Sequence, residues 1–314
     1  MSATLVRDVI ERSKGNPLIA LRDLPFRCAD IWNAGVVRLG REVLLLLTVE
    51  TLEGHYHIYR AFGTDGETFT VDAEPFMTPD EEAPGREYEG WGIRDPRITP
   101  MEGGYYITYV ADGEHGLRPG LARTDDFRSV QRIAYVSQVD VKNAALFPRK
   151  IDGRYALLSR YDATGHVWLS FSDDLVFWND ARVVMTPRGG FWDPSMIGAA
   201  SPPIEIEEGW LLVYYGEKST SAGPLVRLGA AVLDRDDPSR VLARSNIPIL
   251  SPRERYERIG DVPNVVFSCG VLVEGDQLHV YYGASDSCIC LGTAPLAEVL
   301  RICFEGERGF EPCH

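Results

Sequence analysis

The sequence has 314 residues, of which 45% are hydrophobic and 25% charged, a balance typical of a soluble globular protein rather than a disordered or fibrous one. Its formal charge is −14, so the chain as a whole repels polyanions, and nucleic acid is excluded as an expected partner. The six cysteines form no CxxC pair, and neither they nor the six histidines indicate a metal site; no organic cofactor is expected either.

The N-terminal segment has the apolar spacing of a short amphipathic helix, with Leu5, Val9 and Ile10 on one face, which predicts a helix over residues 2–13. It lacks the apolar core of a signal peptide, and no apolar run approaches the roughly 20 residues of a membrane helix. A cytoplasmic protein without membrane contact is therefore expected. A second short helix is predicted over residues 296–302.

A β-hairpin pattern recurs along the chain. Each copy has a short apolar strand, a turn of Gly with Asp, Glu or Arg, and a second strand rich in Tyr, Leu, Val and Ile. In three places a later strand runs into Ser or Thr, then Asp and an aromatic residue, which predicts a tight turn between two outer strands. The hairpins cover residues 35–49, 97–111, 146–160, 203–217 and 270–284, and the turns cover 62–69, 121–128 and 170–178.

Four strands per unit and a spacing of roughly 50 to 65 residues predict an all-β fold, a single five-bladed β-propeller over residues 1–314 with short terminal helices. A dinucleotide-binding fold is excluded because no glycine-rich loop joins a strand to a helix. The blades are expected around residues 35–70, 97–130, 146–180, 203–235 and 270–295.

Residues that precede the inner strands of a propeller converge on its central channel. Carboxylates, amides and aromatic rings gathered there suit a hydroxyl-rich ligand, so a small carbohydrate is the expected partner. Two carboxyl groups on opposite sides of the channel would supply the acid and the base of glycosidic cleavage. Asp95 and Asp193 each precede a proline, however, and turn formation explains that pattern equally well. The candidates are Asn33, Arg94, Asp95, Arg97, Lys142, Asn143, Trp192, Asp193, Met196, Asp261 and Asn264.

Five ordered blocks over nearly the whole chain resemble glycoside hydrolase family 130, which contains inverting mannoside phosphorylases and related β-mannosidases on a five-bladed propeller. The blocks begin at Gly92, Lys142, Ile197, Gly229 and Gly260, and the first contains the motif Asp95-Pro96-Arg97. The resemblance implies that Asp95 is the general acid and delivers its proton through a sugar hydroxyl. It also implies that Arg97 orients or charge-stabilises this carboxylate. Asn33, Asn143 and Asp286 would hold the mannose ring, with Trp91 as a wall of the acceptor site.

The phosphorylases of this family bind phosphate through an Arg-Asn pair, a second Arg, a Lys and a His. The corresponding positions here are Lys142-Asn143, Arg160, Met196 and Tyr215, so two of the four cations are missing. Their loss favours water over phosphate as the nucleophile, because a phosphate dianion depends on charge-assisted hydrogen bonds.

If water attacks, a general base is required, and Asp193 is the first choice with Glu217 as the alternative. Arg94 either recognises an anionic group or forms a surface ion pair.

An inverting hydrolase that removes β-1,2- or β-1,4-linked mannose is therefore the expected function. A phosphorylase that binds phosphate through Lys142, Arg160 and Arg94 is the alternative, with phosphate as co-substrate. A non-catalytic sugar-binding propeller is a further alternative, disfavoured by Asp95 and Arg97. Linkage, acceptor sugar and oligomeric state, including a homo-oligomer, stay open.

Overall fold

A computed structural model describes residues 8–82 and 84–305, and antiparallel β-sheet dominates it. The chain begins with two short strands, β1 (Glu11–Arg12) and β2 (Ile19–Ala20), and a 3-10 helix at Leu21–Asp23. Unit one contains β3 (Asp30–Leu39), β4 (Glu42–Glu50), β5 (Tyr56–Gly63) and β6 (Thr70–Val71). Unit two contains α1 (Gly85–Glu89), β7 (Gly92–Met101), β8 (Gly104–Asp112), β9 (Arg118–Thr124) and β10 (Gln131–Tyr135).

The remaining units repeat this plan. Unit three contains β11 (Val141–Leu146), β12 (Tyr155–Tyr161), β13 (His166–Ser172) and β14 (Asn179–Met185). Unit four contains β15 (Met196–Ala199), β16 (Ile204–Ile206), β17 (Gly209–Thr220), β18 (Gly223–Leu233) and β19 (Val241–Arg244). Unit five contains α2 (Arg255–Arg258), β20 (Val266–Glu274), β21 (Gln277–Ala284), β22 (Cys288–Pro295) and α3 (Leu296–Glu305).

Successive strands are antiparallel neighbours in every unit except unit four, where β15 and β16 both pair with β17, and this pairing confirms the predicted hairpins. Units one and two are joined into one eight-stranded sheet by a single parallel pairing of Tyr56 with Gly92. Unit five is completed by the N-terminal strands, since β1 and β2 both pair with β22. The first strands begin several residues before the predicted hairpins, so the unit boundaries lie earlier than expected.

The core lies between the units, and this explains why their strands read as continuous apolar runs. In β4, Leu44 and Leu46 pack with residues of unit two, whereas Leu45 and Leu47 pack with residues of unit five. A strand buried on both faces loses the apolar–polar alternation of a half-exposed strand. The same arrangement brings β3 into contact with β7 and β20, and β11 into contact with β7 and β15.

The predicted N-terminal helix is wrong over its described part, residues 8–13. Glu11 and Arg12 form β1 and pair with Thr293 and Gly292, while Ile10 is buried in the core. An open strand edge offers these residues backbone partners, which outweighs a weak helical spacing. Residues 2–7 of that prediction lie outside the described residues. The helix predicted over 296–302 is confirmed as α3.

The predicted tight turns are confirmed, and their geometry is the same in each unit. One Asp carboxylate oxygen accepts the backbone N–H groups two and three residues further along the chain. A fourth turn of this kind, in unit four, was not predicted. The four acceptors are Asp65, Asp126, Asp174 and Asp234. Within the described ranges, no helix is long and apolar enough to cross a membrane.

Candidate active site

Three polar residues of the predicted site lie in β-bulges inside the first strands, not before those strands as expected. The register of β3 shifts at Asn33, that of β7 at Asp95 and that of β11 at Asn143. All three have positive φ, at 42°, 56° and 54°. Asn and Asp tolerate this conformation better than most residues, and a bulge turns a side chain away from the ordinary pleat. Units one, two and three therefore present one amide or carboxyl group each at equivalent positions.

These bulges meet at a cavity of about 380 Å³. Most of the residues predicted from the sequence line it, and sequence reasoning missed several others. The predicted lining residues are Asn33, Arg94, Asp95, Lys142, Asn143, Arg160, Met196, Tyr215, Glu217 and Asp286. The missed lining residues are Trp32, Asp162, Pro224, Val226, Val262, Val265 and Phe267.

Asp95 is held from two sides and is only 7% exposed. Its Oδ1 accepts a hydrogen bond of 2.8 Å from Asn33 Nδ2, and its backbone N–H donates to Thr48 Oγ1 at 2.9 Å. The buried Oδ1 of Asn33 has no hydrogen-bond partner. A buried acceptor without a partner is costly, and a ligand hydroxyl is a suitable donor for it. This pair can therefore hold a sugar hydroxyl beside the Asp95 carboxyl group.

The cavity also contains three cationic side chains. Arg160 Nη2 forms a short ion pair with Asp162, and Lys142 Nζ lies 3.7 Å from the same carboxylate. Burial lowers the pKa of Lys142, and the charges of Arg94 and Arg160 lower it further. Arg94 donates to Asp112 Oδ2 at 2.9 Å and stacks on Tyr56, so it forms an ion pair while lining the cavity. The cavity lining therefore holds three cations and four carboxyl groups, those of Asp95, Asp162, Glu217 and Asp286, and Asp162 lies directly on two of the cations.

Asp286 has a strongly perturbed carboxyl group. Burial raises its pKa to about 7, and the neighbouring charges of Asp95, Asp261 and Asp30 act in the same direction. Asp261 itself is exposed and does not line the cavity, contrary to its predicted role as a substrate contact. Its backbone N–H donates to Ser287 Oγ, so it belongs to a surface loop.

Arg97 does not contact the Asp95 carboxylate and does not line the cavity, which corrects its predicted roles. It is 1% exposed, and its Nη1 donates to the backbone oxygen of Asp95 at 2.9 Å. Its Nε donates to the backbone oxygen of Ala200, the residue that follows β15. Its Nη2 donates to the backbone oxygen of Ala199, the last residue of β15. Arg97 therefore positions the Asp95 backbone and links units two and four.

Asp193, the predicted general base, lies outside the cavity lining and is fully buried. Its Oδ2 accepts hydrogen bonds from Arg244 at 2.6 Å, from Tyr214 at 2.9 Å and from Arg188 at 3.1 Å. Its Oδ1 is bonded by Arg188 Nε at 3.1 Å. A carboxylate bound to two guanidinium groups is a poor base, so the prediction for Asp193 is wrong. The Asp193 carboxylate instead links β19, through Arg244, to the loop before β15.

Glu217, the alternative base, does line the cavity. It pairs across β15 and β17 with Met196, one of the two positions where the family resemblance implies a missing cation. Tyr215, two residues earlier in β17, donates to Asn143 Oδ1 at 3.2 Å, and burial raises its pKa to about 12. Trp91, predicted as an aromatic wall, is 55% exposed and does not line the cavity.

Two of the lining residues that sequence reasoning missed lie next to predicted ones in the sequence. Trp32 directly precedes Asn33, and Asp162 is two residues after Arg160, which places it beyond the same end of β12. The apolar residues that close the cavity come from the start of β18, from the loop before β20 and from β20 itself. Their position at the cavity depends on packing between units, which cannot be predicted from spacing in the sequence. Among residues 8–82 and 84–305, no group of His, Cys, Asp and Glu is arranged to hold a metal ion.

The chain resembles known proteins over most of its length. A family model described as beta-1,4-mannooligosaccharide phosphorylase matches residues 8–305. The chain is 36% identical to a Listeria innocua beta-1,2-mannobiose phosphorylase, over 78% of this chain and 68% of that protein. It is 32% identical to a Ruminococcus albus beta-1,4-mannooligosaccharide phosphorylase, over 94% of this chain and 90% of that protein.

A solved structure shows the same relationship in three dimensions. The Listeria innocua beta-1,2-mannobiose phosphorylase, determined with beta-1,2-mannobiose, superimposes with a TM-score of 0.86 at 30% identity. The match covers 94% of this chain and 99% of that one. The chain therefore belongs to glycoside hydrolase family 130, a family of β-mannoside-active enzymes.

Proposed function

We propose that this protein is a β-mannoside phosphorylase, which transfers mannose from a short β-mannooligosaccharide to inorganic phosphate. The observation that carries the proposal is the presence of Arg94, Lys142 and Arg160 in one cavity with Asp95. The relatives named above as phosphorylases support it. They do not support the hydrolase interpretation, which rested on the loss of cations at Met196 and Tyr215.

Phosphate would bind where Asp162 now engages Lys142 and Arg160. A dianion forms stronger hydrogen bonds with these donors than a monovalent carboxylate does, so it competes well for them. Burial lowers the pKa of Lys142 and Asp162 raises it, so an anion bound in the place of Asp162 would keep the amine charged. Lys142 and Arg160 would contact phosphate, and Arg94, which lines the same cavity, would add a third positive charge in place of the two that are missing at Met196 and Tyr215.

In the reaction, a phosphate oxygen forms a bond to the anomeric carbon of mannose from the face opposite the glycosidic oxygen. The glycosidic bond breaks, and its oxygen leaves with a proton that comes from Asp95, directly or through a sugar hydroxyl. A single displacement inverts the configuration, so the product is α-mannose 1-phosphate. Asn33 and Asn143, in the bulges of units one and three, would hold the mannose hydroxyls during this step.

Hydrolysis is a second candidate because Glu217 lines the cavity beside Met196. In an inverting hydrolase, a base about 6.5 to 9.5 Å from the acid activates water. Glu217 would take this role in place of Asp193, whose carboxylate is occupied by arginines.

We further propose that the five units form a five-bladed propeller in one domain, with the catalytic cavity at its central channel. Two observations support this arrangement. The first strand of unit one, β3, contacts the first strands of units two and five, so the first and last units meet. In addition, every unit contributes at least one residue to the cavity lining.

The test is to incubate β-1,2- and β-1,4-mannobiose with and without phosphate, and to measure mannose and mannose 1-phosphate separately. We expect mannose 1-phosphate, formed only with phosphate. Lys142→Gln should raise the KM for phosphate by about tenfold, because one charge-assisted hydrogen bond to phosphate is lost. Lys150→Gln is the control, since Lys150 pairs with Glu102 away from the cavity. Free mannose that forms without phosphate and is lost in Glu217→Gln would contradict the proposal and establish hydrolysis.

A further inference from the structure

A second cavity, of about 660 Å³, lies between units two and three, on the other side of β12 from the catalytic cavity. It follows one face of β12 and β13, where the paired residues Ser159 and Trp168 both line it. None of its lining residues carries a carboxylate, amine, guanidinium or imidazole group. We call it the outer groove, and its principal lining residues are Gln138, Tyr161, Trp168, Ser170, Phe177 and Trp178.

The outer groove starts beside the catalytic cavity. Arg160 and Tyr161 are consecutive in β12, so their side chains point to opposite faces of the strand. Arg160 lines the catalytic cavity and Tyr161 lines the groove. From that end, the groove extends along β13 to Phe177 in the turn at its far end, a distance of about 20 Å for a seven-residue strand. Such a length suits an extended chain rather than a single small molecule.

The repeated turn shows that the apolar character of this groove is specific to unit three. The two residues that donate N–H groups to the turn aspartate are Val176 and Phe177 here, 50% and 78% exposed. A phenyl ring that stays in contact with solvent adds no hydrophobic stabilisation to the folded chain. The same backbone geometry is formed with polar residues elsewhere, so the turn does not require apolar ones. The equivalent pairs are Glu67 and Thr68, Arg128 and Ser129, and Asp236 and Asp237.

Trp168 gives an independent indication of a ligand. Its indole Nε1 is buried and has no hydrogen-bond partner, whereas the indole Nε1 of Trp178 donates to the backbone oxygen of Leu175 at 3.2 Å. Buried N–H groups are rarely left without an acceptor. A ligand that carries oxygen atoms would supply one.

We propose that the outer groove binds a neutral oligosaccharide chain. Aromatic rings stack on the apolar faces of sugar rings, while Ser, Thr and Gln side chains and the Trp168 N–H bond the hydroxyl groups. The absence of charged lining residues selects against sugars that carry carboxylates or phosphates. That the chain consists of mannose rests on the proposed function. Placed beside Arg160, the groove would hold the distal part of a long substrate.

The proposal is tested by titration calorimetry with β-1,4-mannohexaose and β-1,4-mannobiose on three variants. Phe177→Ser removes the exposed ring, and Trp168→Phe removes the indole N–H while keeping an aromatic ring. Each is expected to weaken hexaose binding about tenfold, because each removes the burial of one large apolar side chain or the hydrogen bond of one buried donor. Turnover and binding of mannobiose should not change. Leu52→Ser, which alters a 65% exposed residue outside the groove, is the control and should change neither.

Unchanged hexaose binding in both groove variants would overturn the proposal. So would a Phe177→Ser variant that binds hexaose normally but changes from a larger species to a monomer in light scattering, since the surface would then be a contact between copies. Wild-type protein that turns over no mannoside, yet loses hexaose binding in the groove variants, would contradict the proposed function and leave this inference standing. Normal turnover without any effect of the groove variants would contradict this inference and leave the proposed function standing.

Discussion

At the level of single residues, Asp95 and Asp193 are both aspartates followed by proline, and their surroundings separate their roles. Asp95 bonds one neutral amide beside an open cavity, whereas Asp193 bonds two arginines and a tyrosine in the interior. The sequence pattern is the same in both cases. Only the partners, supplied by distant parts of the chain, distinguish the proposed proton donor from a structural anion.

The same substitution should therefore have different effects at the two positions. Asp95→Asn removes the proton that the leaving oxygen needs, and we expect turnover to fall by about 10² to 10⁴ with unchanged stability. Asp193→Asn leaves Arg188 and Arg244 without a buried counter-charge, and we expect the free energy of unfolding to fall by roughly 3 kcal/mol. Turnover and urea denaturation are measured for both variants.

The control at position 193 is Asp193→Ala with azide, a small external nucleophile that restores activity when the residue that activates water is missing. Rescue of Asp193→Ala by azide would restore Asp193 as the catalytic base and contradict its structural role. Full activity of Asp95→Asn would remove Asp95 from the mechanism.

Asp286 predicts a dependence of stability on pH. Its pKa is raised to about 7 in the folded protein, above the unfolded value of 3.8. Below pH 4 both states are protonated and the group has no effect. Between about pH 4 and 7 the unfolded state releases the proton that the folded state keeps, so this group increasingly destabilises the fold as pH rises. Asp286→Asn should therefore stabilise the protein more at pH 8 than at pH 4, measured by urea denaturation.

The neighbouring charge provides the check on this explanation. Asp261 raises the pKa of Asp286, so Asp261→Asn should shift the midpoint of that pH dependence to lower pH. An equal effect of Asp286→Asn at both pH values would mean that Asp286 ionises normally in the folded protein.

At the level of elements, the sequence predicted the hairpins well because each turn is marked by Gly with a polar neighbour and each strand by a run of apolar residues. It predicted most of the cavity residues because equivalent positions of the units converge. It did not predict the bulges at Asn33, Asp95 and Asn143, since a register shift depends on pairing with the adjacent strand. It also failed at β1, whose strand pairing comes from β22 at the other end of the chain.

Close approach of β3 and β7 keeps the first two bulges together, and Gly35 permits that approach. A Cβ at Gly35 would lie 2.5 Å from the backbone oxygen of Pro96. Gly35→Ala should push the strands apart, lower the free energy of unfolding by about 1 to 3 kcal/mol and reduce turnover, because Asn33 then moves away from Asp95. Gly189→Ala is the matched control, since nothing lies within 4 Å of its Cβ position. Equal stability and turnover in both variants would show that strand spacing does not control the site.

At the level of the whole molecule, each unit buries its faces against its neighbours, so the stability of the protein depends on the junction between its first and last segments. Arg12 in β1 forms this junction, through bonds to the fully buried Glu257 and to the backbone oxygen of Ser251. Units one and five also meet at β3 and β20, next to Asn33 of the cavity.

Arg12→Met should therefore destabilise the whole protein without touching the catalytic cavity. It leaves Glu257 buried without its counter-charge, and we expect a loss of about 3 kcal/mol and a single, earlier unfolding transition in calorimetry. Below that transition, turnover of mannobiose should equal that of the wild type. Arg22→Met is the control, because Arg22 is 75% exposed and its ion pair with Asp23 contributes little. Two separate transitions in Arg12→Met would show that the units unfold independently, which would contradict the proposed propeller of mutually packed units.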